Sequence, residues 1–141
     1  MSKKRINILF ICRHNRFRSK VAEALFKKYN KNKKIKAESC GIGLDYIPVA
    51  KNVINVLKEF GVRKVNRHPR RINNKLVNKS DLIVIVANNI SKKEIKEKIY
   101  TKGKKIIVWK ISDTTQDDYK GILRRVKLIE KRIKKLIKSL K

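Results

Sequence analysis

The stretch "ILFICRHNRFRSKVAEALF", residues 8–26, decides the fold. It opens as a continuous apolar run, the composition of a strand buried on both faces of a parallel sheet. From Ser19 onward, Val21, Ala22, Leu25 and Phe26 recur at helical spacing, with Ser19 expected as the N-cap. Between strand and helix lie Arg13 to Arg18: six polar or bulky residues, three of them arginines, with no glycine. A loop that enters a helix N-terminus gathers backbone N–H groups and the positive end of the helix dipole, which makes an anion cradle. Something negative is expected there.

Working outward, strand and helix alternate. "INILFI" (6–11) is the first strand and "KKIKAESC" (33–40) the second, followed by the loop "GIGLDYIP". Val49, Val53, Val56, Leu57 and Phe60 repeat at helical spacing until Gly61 stops them. "RINNKLVNK" reads as a short helix and "DLIVIVA" (81–87) as a buried strand with four β-branched residues in a row. A helix near 91–99 leads to the strand "KIIVW". From about Asp117 the stripe Ile122, Val126, Ile129, Ile133, Leu136 and Leu140 marks a long amphipathic helix, with Asp117 and Asp118 suited to its start. The alternation predicts one doubly wound α/β domain over residues 1–141, with a four-stranded parallel sheet flanked by helices. Ligands of such sheets sit beyond the carboxyl ends of the strands, which is where Cys12 falls.

Composition narrows the class. The chain has 141 residues, 41% of them hydrophobic, enough for one domain with a true core. Its longest apolar run, Leu82 to Ala87, is far shorter than the roughly 20 residues that span a membrane, and a soluble cytoplasmic protein is expected. The two cysteines, Cys12 and Cys40, read as reduced or catalytic rather than paired. The formal charge of +29 draws in any anion. The lysines cover every expected surface rather than one stripe, so nucleic acid is expected to bind only non-specifically.

The loop's residue types carry a definite chemistry. A cysteine at the base of an anion cradle is expected to be a thiolate nucleophile. Arg18, six residues later, can grip two oxygens of a phosphate through its planar fork. Ser19 can donate a hydrogen bond to the sulfur, and Asn15 can brace the loop. The phosphate-binding segment is then Arg13, His14, Asn15, Arg16, Phe17 and Arg18.

This stretch closely resembles the low-molecular-weight protein tyrosine phosphatases and the related arsenate reductases, whose pattern is an apolar strand, Cys-x-x-Asn-x-x-Arg-Ser and a helix much like "KVAEALF". The resemblance extends over nearly the whole chain. Ser39 in "ESCGIG" looks like the family serine closing the second strand. His68 in "HPRR" (68–71) is similar to the histidine of the family's His-x-x-Arg. The resemblance implies that Asn15, Ser19, Ser39 and His68 form a hydrogen-bond network supporting the loop. It also implies a general acid in "VWKISDTTQDDY", where Asp113 falls in the register of the family's Asp-Pro, with Asp117 and Asp118 as competitors. Four positions depart from the family: His14 stands where glycine is frequent, Phe17 where a second cysteine is frequent, Thr114 where proline follows the acid, and Ala87 where an acidic residue ends the third strand.

The function expected is a cysteine-dependent phosphatase of phosphotyrosine proteins or small phosphomonoesters, with Cys12, Arg18, Asp113 and Ser19 as catalytic residues and inorganic phosphate as product. It needs no metal or cofactor, because positioning and fixed dipoles carry the electrostatic load. Tyr46 is a possible aromatic wall for the substrate ring. One alternative is arsenate reduction with an external thiol, since this chain has no cysteine pair after the loop. Another is a non-enzymatic basic module that binds polyanions.

Overall fold

The computed structural model describes residues 5–43 and 47–140, so Tyr46 lies outside the described residues. The elements are β1 (Ile6–Cys12), α1 (Arg18–Tyr29), β2 (Ile35–Gly41), α2 (Lys51–Glu59), α3 (Asn74–Asn78), β3 (Leu82–Val86), α4 (Lys92–Lys98), β4 (Lys105–Trp109) and α5 (Tyr119–Ser139). Four parallel strands pair in the order β2-β1-β3-β4. The doubly wound expectation holds.

Strand alternation sorts the core onto two faces. Ile8 and Phe10 of β1 and Leu82, Val84 and Val86 of β3 face one cluster, which α1, α2 and α5 cover. Leu9 and Ile11, with Ile83 and Ile85, face a second cluster under Leu76 and Val77 of α3 and Ile95 of α4. Both faces are covered, which is why β1 from Ile8 onward and β3 read as unbroken apolar runs rather than alternating ones. Phe10 anchors the first cluster, with ring centroids 6.1 Å from Phe26 and 5.9 Å from Trp109. The α5 stripe is buried from Ile122 through Leu136, while Leu140 is only partly buried against the same core.

Of the two aspartates expected at the start of the last helix, one is its cap. Asp118 is the cap, its carboxylate accepting from the Gly121 N–H at 3.0 Å. Asp117 is exposed and does not share that role. The helix over Lys51–Glu59 is shorter than the periodic stretch, since Val49 packs in the core ahead of it and Phe60 is its C-cap. Gly61, at φ 83°, makes the left-handed turn that ends it.

This topology fixes where a ligand can sit. β1 is central, with β2 on one side and β3 on the other, so the chain reverses direction across the sheet around β1. The loops leaving β1 and β3 therefore diverge and open a crevice at the carboxyl end of β1. Cys12 is the last residue of that strand.

Candidate active site

The loop from Cys12 to Arg18 is held without glycine, and the reason is Asn15. It is the one non-glycine residue with positive φ (57°) among those described. Asparagine tolerates that left-handed conformation better than most side chains. Its amide is fully buried and every polar atom is engaged. Nδ2 donates to Ser19 Oγ at 2.7 Å and to Ser39 Oγ at 3.0 Å, and Oδ1 accepts from the Arg70 N–H at 2.9 Å. Each of these buried groups would cost about 1–3 kcal/mol if left unpaired, so the loop has one well-satisfied shape.

The network has a direction. Ser39 Oγ donates to a Glu23 carboxylate oxygen, and its lone pair receives Asn15. Both Asn15 amide hydrogens are thereby spent, one of them on Ser19. Ser19 accepts from Asn15 and keeps its own hydroxyl hydrogen, within reach of Cys12 Sγ at 2.9 Å. A continuous chain of side-chain hydrogen bonds thus runs from the Glu23 carboxylate to the sulfur.

The fourth member of the network differs from expectation. His68 is exposed; its N–H donates to Asn66 Oδ1, and its carbonyl accepts from the buried Lys20 ammonium at 2.8 Å. The loop is closed instead by Glu23 and by the backbone of Arg70. The segment carrying Arg70 and Arg71 runs beside the end of β2, where Gly41 N donates to Arg70 O and Ile72 N to Gly41 O. Backbone pairing brings this segment to the loop and turns the imidazole outward. Burial, acting first, holds the Lys20 pKa below its ordinary value, with Glu23 partly opposing.

Ser19 is also not the helix cap. Helix α1 starts at Arg18 with Phe17 in the cap position and no side-chain cap bond. The Ser19 hydroxyl is committed to the network, and the first-turn amides are left uncapped by any side chain, as an anion cradle requires. Gly41 lets β2 pass beneath: a Cβ there would lie 2.8 Å from His14 C and 2.9 Å from Asn15 N.

The three arginines of the loop separate into distinct positions. Arg18 is 1% exposed, its Nη1 donating to Ile111 O at 2.9 Å and its Nη2 lying 3.7 Å from Asp113 Oδ2. Arg13 turns to α4, where it pairs with Glu94 at 2.7 Å and reaches Asn89 O. Arg16 donates to the carbonyls of Ile47 and Pro48. The side chains of Arg13 and Arg16 thus brace neighbouring loops, whereas Arg18 is set under the cradle.

Asp113 reaches the site from the loop after β4. It lines a cavity of about 40 Å³ together with Cys12, His14, Arg16, Phe17, Arg18 and Gln116. Its side chain is about half exposed, at 48%. Thr114, standing in the proline's place, stiffens the loop by hydrogen bonds: its N–H donates to Asp113 Oδ1 and its hydroxyl to Asp118 Oδ2 at 2.7 Å. Ala87 is fully buried at the end of β3. A wider cleft of about 720 Å³ opens at the amino end of the sheet, beside Asn7, Ile35 and several lysines, with no cysteine, serine, threonine or histidine among the described residues of its walls. The chemistry lies in the smaller cavity.

A buried cysteine, a buried arginine and a carboxylate around one anion-sized cavity at the end of β1 match a known family. Residues 7–141 match the family profile described as low molecular weight phosphotyrosine protein phosphatase. The chain belongs to this family. It is a cysteine-based phosphatase, and its substrates are phosphorylated. Among solved structures, an arsenate reductase from Archaeoglobus fulgidus is 31% identical with TM-score 0.74, over 92% of this chain and 98% of that one. A low molecular weight protein tyrosine phosphatase from T. tengcongensis superposes with TM-score 0.86 at 21% identity, over 95% of this chain and 99% of that one. An arginine phosphatase from Geobacillus stearothermophilus gives TM-score 0.76 at 19% identity, over 96% and 92%. Comparison with curated protein sequences gave no match.

Within this phosphatase, sequence reasoning missed Glu23, Lys20 and the backbone role of Arg70. Glu23 had a signal, since it is a carboxylate four residues after Ser19 on a helix whose neighbouring positions are apolar. Cys40 is fully buried in the second cluster beside Leu9 and Ile11, whereas Cys12 Sγ faces Ser19 of α1 on the other side of the sheet. Burial, foremost, pushes the Cys40 thiol far above its ordinary pKa.

Proposed function

We propose that this phosphatase hydrolyses phosphotyrosine, or a similar aryl phosphomonoester, through a cysteinyl-phosphate. The observation that carries the reading is that Cys12, Arg18 and Asp113 line the same small cavity, from β1, α1 and the loop after β4. Cys12 Sγ attacks phosphorus as the bond to the aryl oxygen breaks. The loop amides of residues 13–18 and the Arg18 fork hold the equatorial oxygens. Asp113 gives its proton to the departing phenolate, whose conjugate acid has a pKa near 10. Asp113 then takes a proton from water as that water attacks phosphorus, and the electron pair of the S–P bond returns to sulfur. The Ser19 hydroxyl stabilises the departing thiolate, and inorganic phosphate leaves. Among the described residues no helix is long and apolar enough to cross a membrane, which fits a cytoplasmic enzyme.

The test is Cys12→Ser. It should abolish nitrophenyl phosphate and phosphotyrosine hydrolysis while phosphate or vanadate still binds. Turnover surviving the change would refute the covalent mechanism. A panel adding phosphoarginine would define the leaving group.

Arsenate reduction is the second reading, favoured by the identity to the archaeal arsenate reductase. Cys40 is buried on the opposite face from Cys12, so the thiol that takes over the arsenic-bound sulfur would come from outside the chain. Arsenite released with glutathione or thioredoxin, and none without, is the expected result on this reading.

A further inference from the structure

Gln116 lines the cavity beside Cys12, Arg18 and Asp113, and its Oε1 is a buried acceptor with no hydrogen-bond partner among the described residues. The residue is not loose. Its carbonyl accepts from Asn52 Nδ2 of α2 at 2.9 Å, and on either side of it Thr114 and Asp118 are tied to each other. A buried acceptor held fixed without a donor loses free energy that a ligand's hydrogen can restore. The first half-reaction brings no such hydrogen, because an aryl phosphate has no donor on its bridging oxygen. The second half-reaction does. The attacking water carries two O–H hydrogens, and Asp113 can accept only one.

We propose that Gln116 is a catalytic residue of the second step, accepting the water's other hydrogen so that a lone pair points at phosphorus. This rests on the cysteinyl-phosphate reading above. The new O–P bond forms as the S–P bond breaks. One water proton passes to Asp113, the other stays on the oxygen that becomes a phosphate hydroxyl, and the electron pair returns to Cys12. Gln116 gains and loses no proton; it fixes the direction of attack.

An alcohol separates this role from a structural one, because ethanol has a single O–H hydrogen and Asp113 alone can receive it. The experiment uses Gln116→Met and Gln116→Ala with nitrophenyl phosphate. Rapid quench gives the rates of nitrophenol burst and phosphoenzyme decay, and the ratio of nitrophenol to phosphate is measured with and without ethanol. In both variants the burst should stay within about twofold of the parent, while decay in water slows about three- to tenfold, the worth of one hydrogen bond. The ratio of ethyl phosphate to inorganic phosphate should rise by the same factor. A ratio in ethanol unchanged from the parent in both variants would overturn the assignment, whatever happens to overall turnover. A burst that falls as far as decay would also overturn it, by placing Gln116 on the leaving group or in the loop's framework. If the parent forms no phosphoenzyme on Cys12, the underlying reading fails instead and takes this one with it.

Discussion

Replacing Arg18 by lysine keeps the charge and removes the fork. The guanidinium is 1% exposed and already spends Nη1 on the Ile111 carbonyl at 2.9 Å, with Nη2 toward Asp113. Arg18 lines the cavity, and its remaining guanidinium hydrogens can supply a planar pair of donors to a phosphoryl group there. A lysine ammonium in the same place is a compact group that must choose among the carbonyl, the carboxylate and the substrate. Two charge-assisted bonds to the phosphoryl oxygens are at stake, each worth about 1.5–3 kcal/mol. Losing both raises the barrier by about 3–6 kcal/mol, or roughly 10²- to 10⁴-fold in kcat/KM at about 1.4 kcal/mol per decade. The assay is steady-state hydrolysis of nitrophenyl phosphate, with thermal melting to show that the variant is folded. The control is Arg16→Ala, whose side chain holds the Ile47 and Pro48 carbonyls; it should act mildly and through loop order. A folded Arg18→Lys enzyme within tenfold of the parent, or an Arg16→Ala enzyme equally impaired, would refute the assignment of the two arginines.

Asp113→Asn should slow phosphotyrosine hydrolysis by roughly 10²- to 10⁴-fold and an activated nitrophenyl ester less, because only a poor leaving group needs the proton. Asp118→Ala should lower the melting temperature through the lost cap and show no leaving-group dependence; the reverse pattern in a series of aryl phosphates would move the acid along the loop. Asn15→Ala removes three hydrogen bonds and places alanine at φ 57°. It should cost several kcal/mol of stability by denaturant unfolding together with most of the activity; a stable, active variant would mean that the loop is pinned elsewhere. The hydrogen bond from Arg13, with burial partly opposing, holds the Glu94 carboxyl below its ordinary pKa. Its contribution is therefore complete above the unfolded value of about 4.3 and fades as pH falls toward the lower folded value. In Glu94→Gln, stability between pH 7 and 3 should depend less steeply on pH than in the parent; identical slopes would dismiss the pair.

The reach of the sequence differs between the elements and the site. β1 and β3 were legible as parallel, doubly covered strands because burial on both faces removes polar residues from every position except Asn7, at the half-buried amino end of β1. The place of Cys12 at the carboxyl end of a buried strand followed from the apolar run before it, and Asp113 and Ser39 followed from motif register. The tertiary structure decided the rest, because pairing between distant segments has no local periodicity. Backbone bonds between Gly41 and the 70–72 segment bring the Arg70 N–H to Asn15 and leave His68 at the surface. Glu23 looks like an ordinary helical carboxylate until β2 lays Ser39 against it. Arg13 and Arg16 look like anion ligands beside Arg18 until α4 and the segment before Val49 supply closer partners. A residue type with its spacing determines which groups can meet a phosphate. Which of them are free to do so depends on the competing donors and acceptors that folding brings within hydrogen-bond reach.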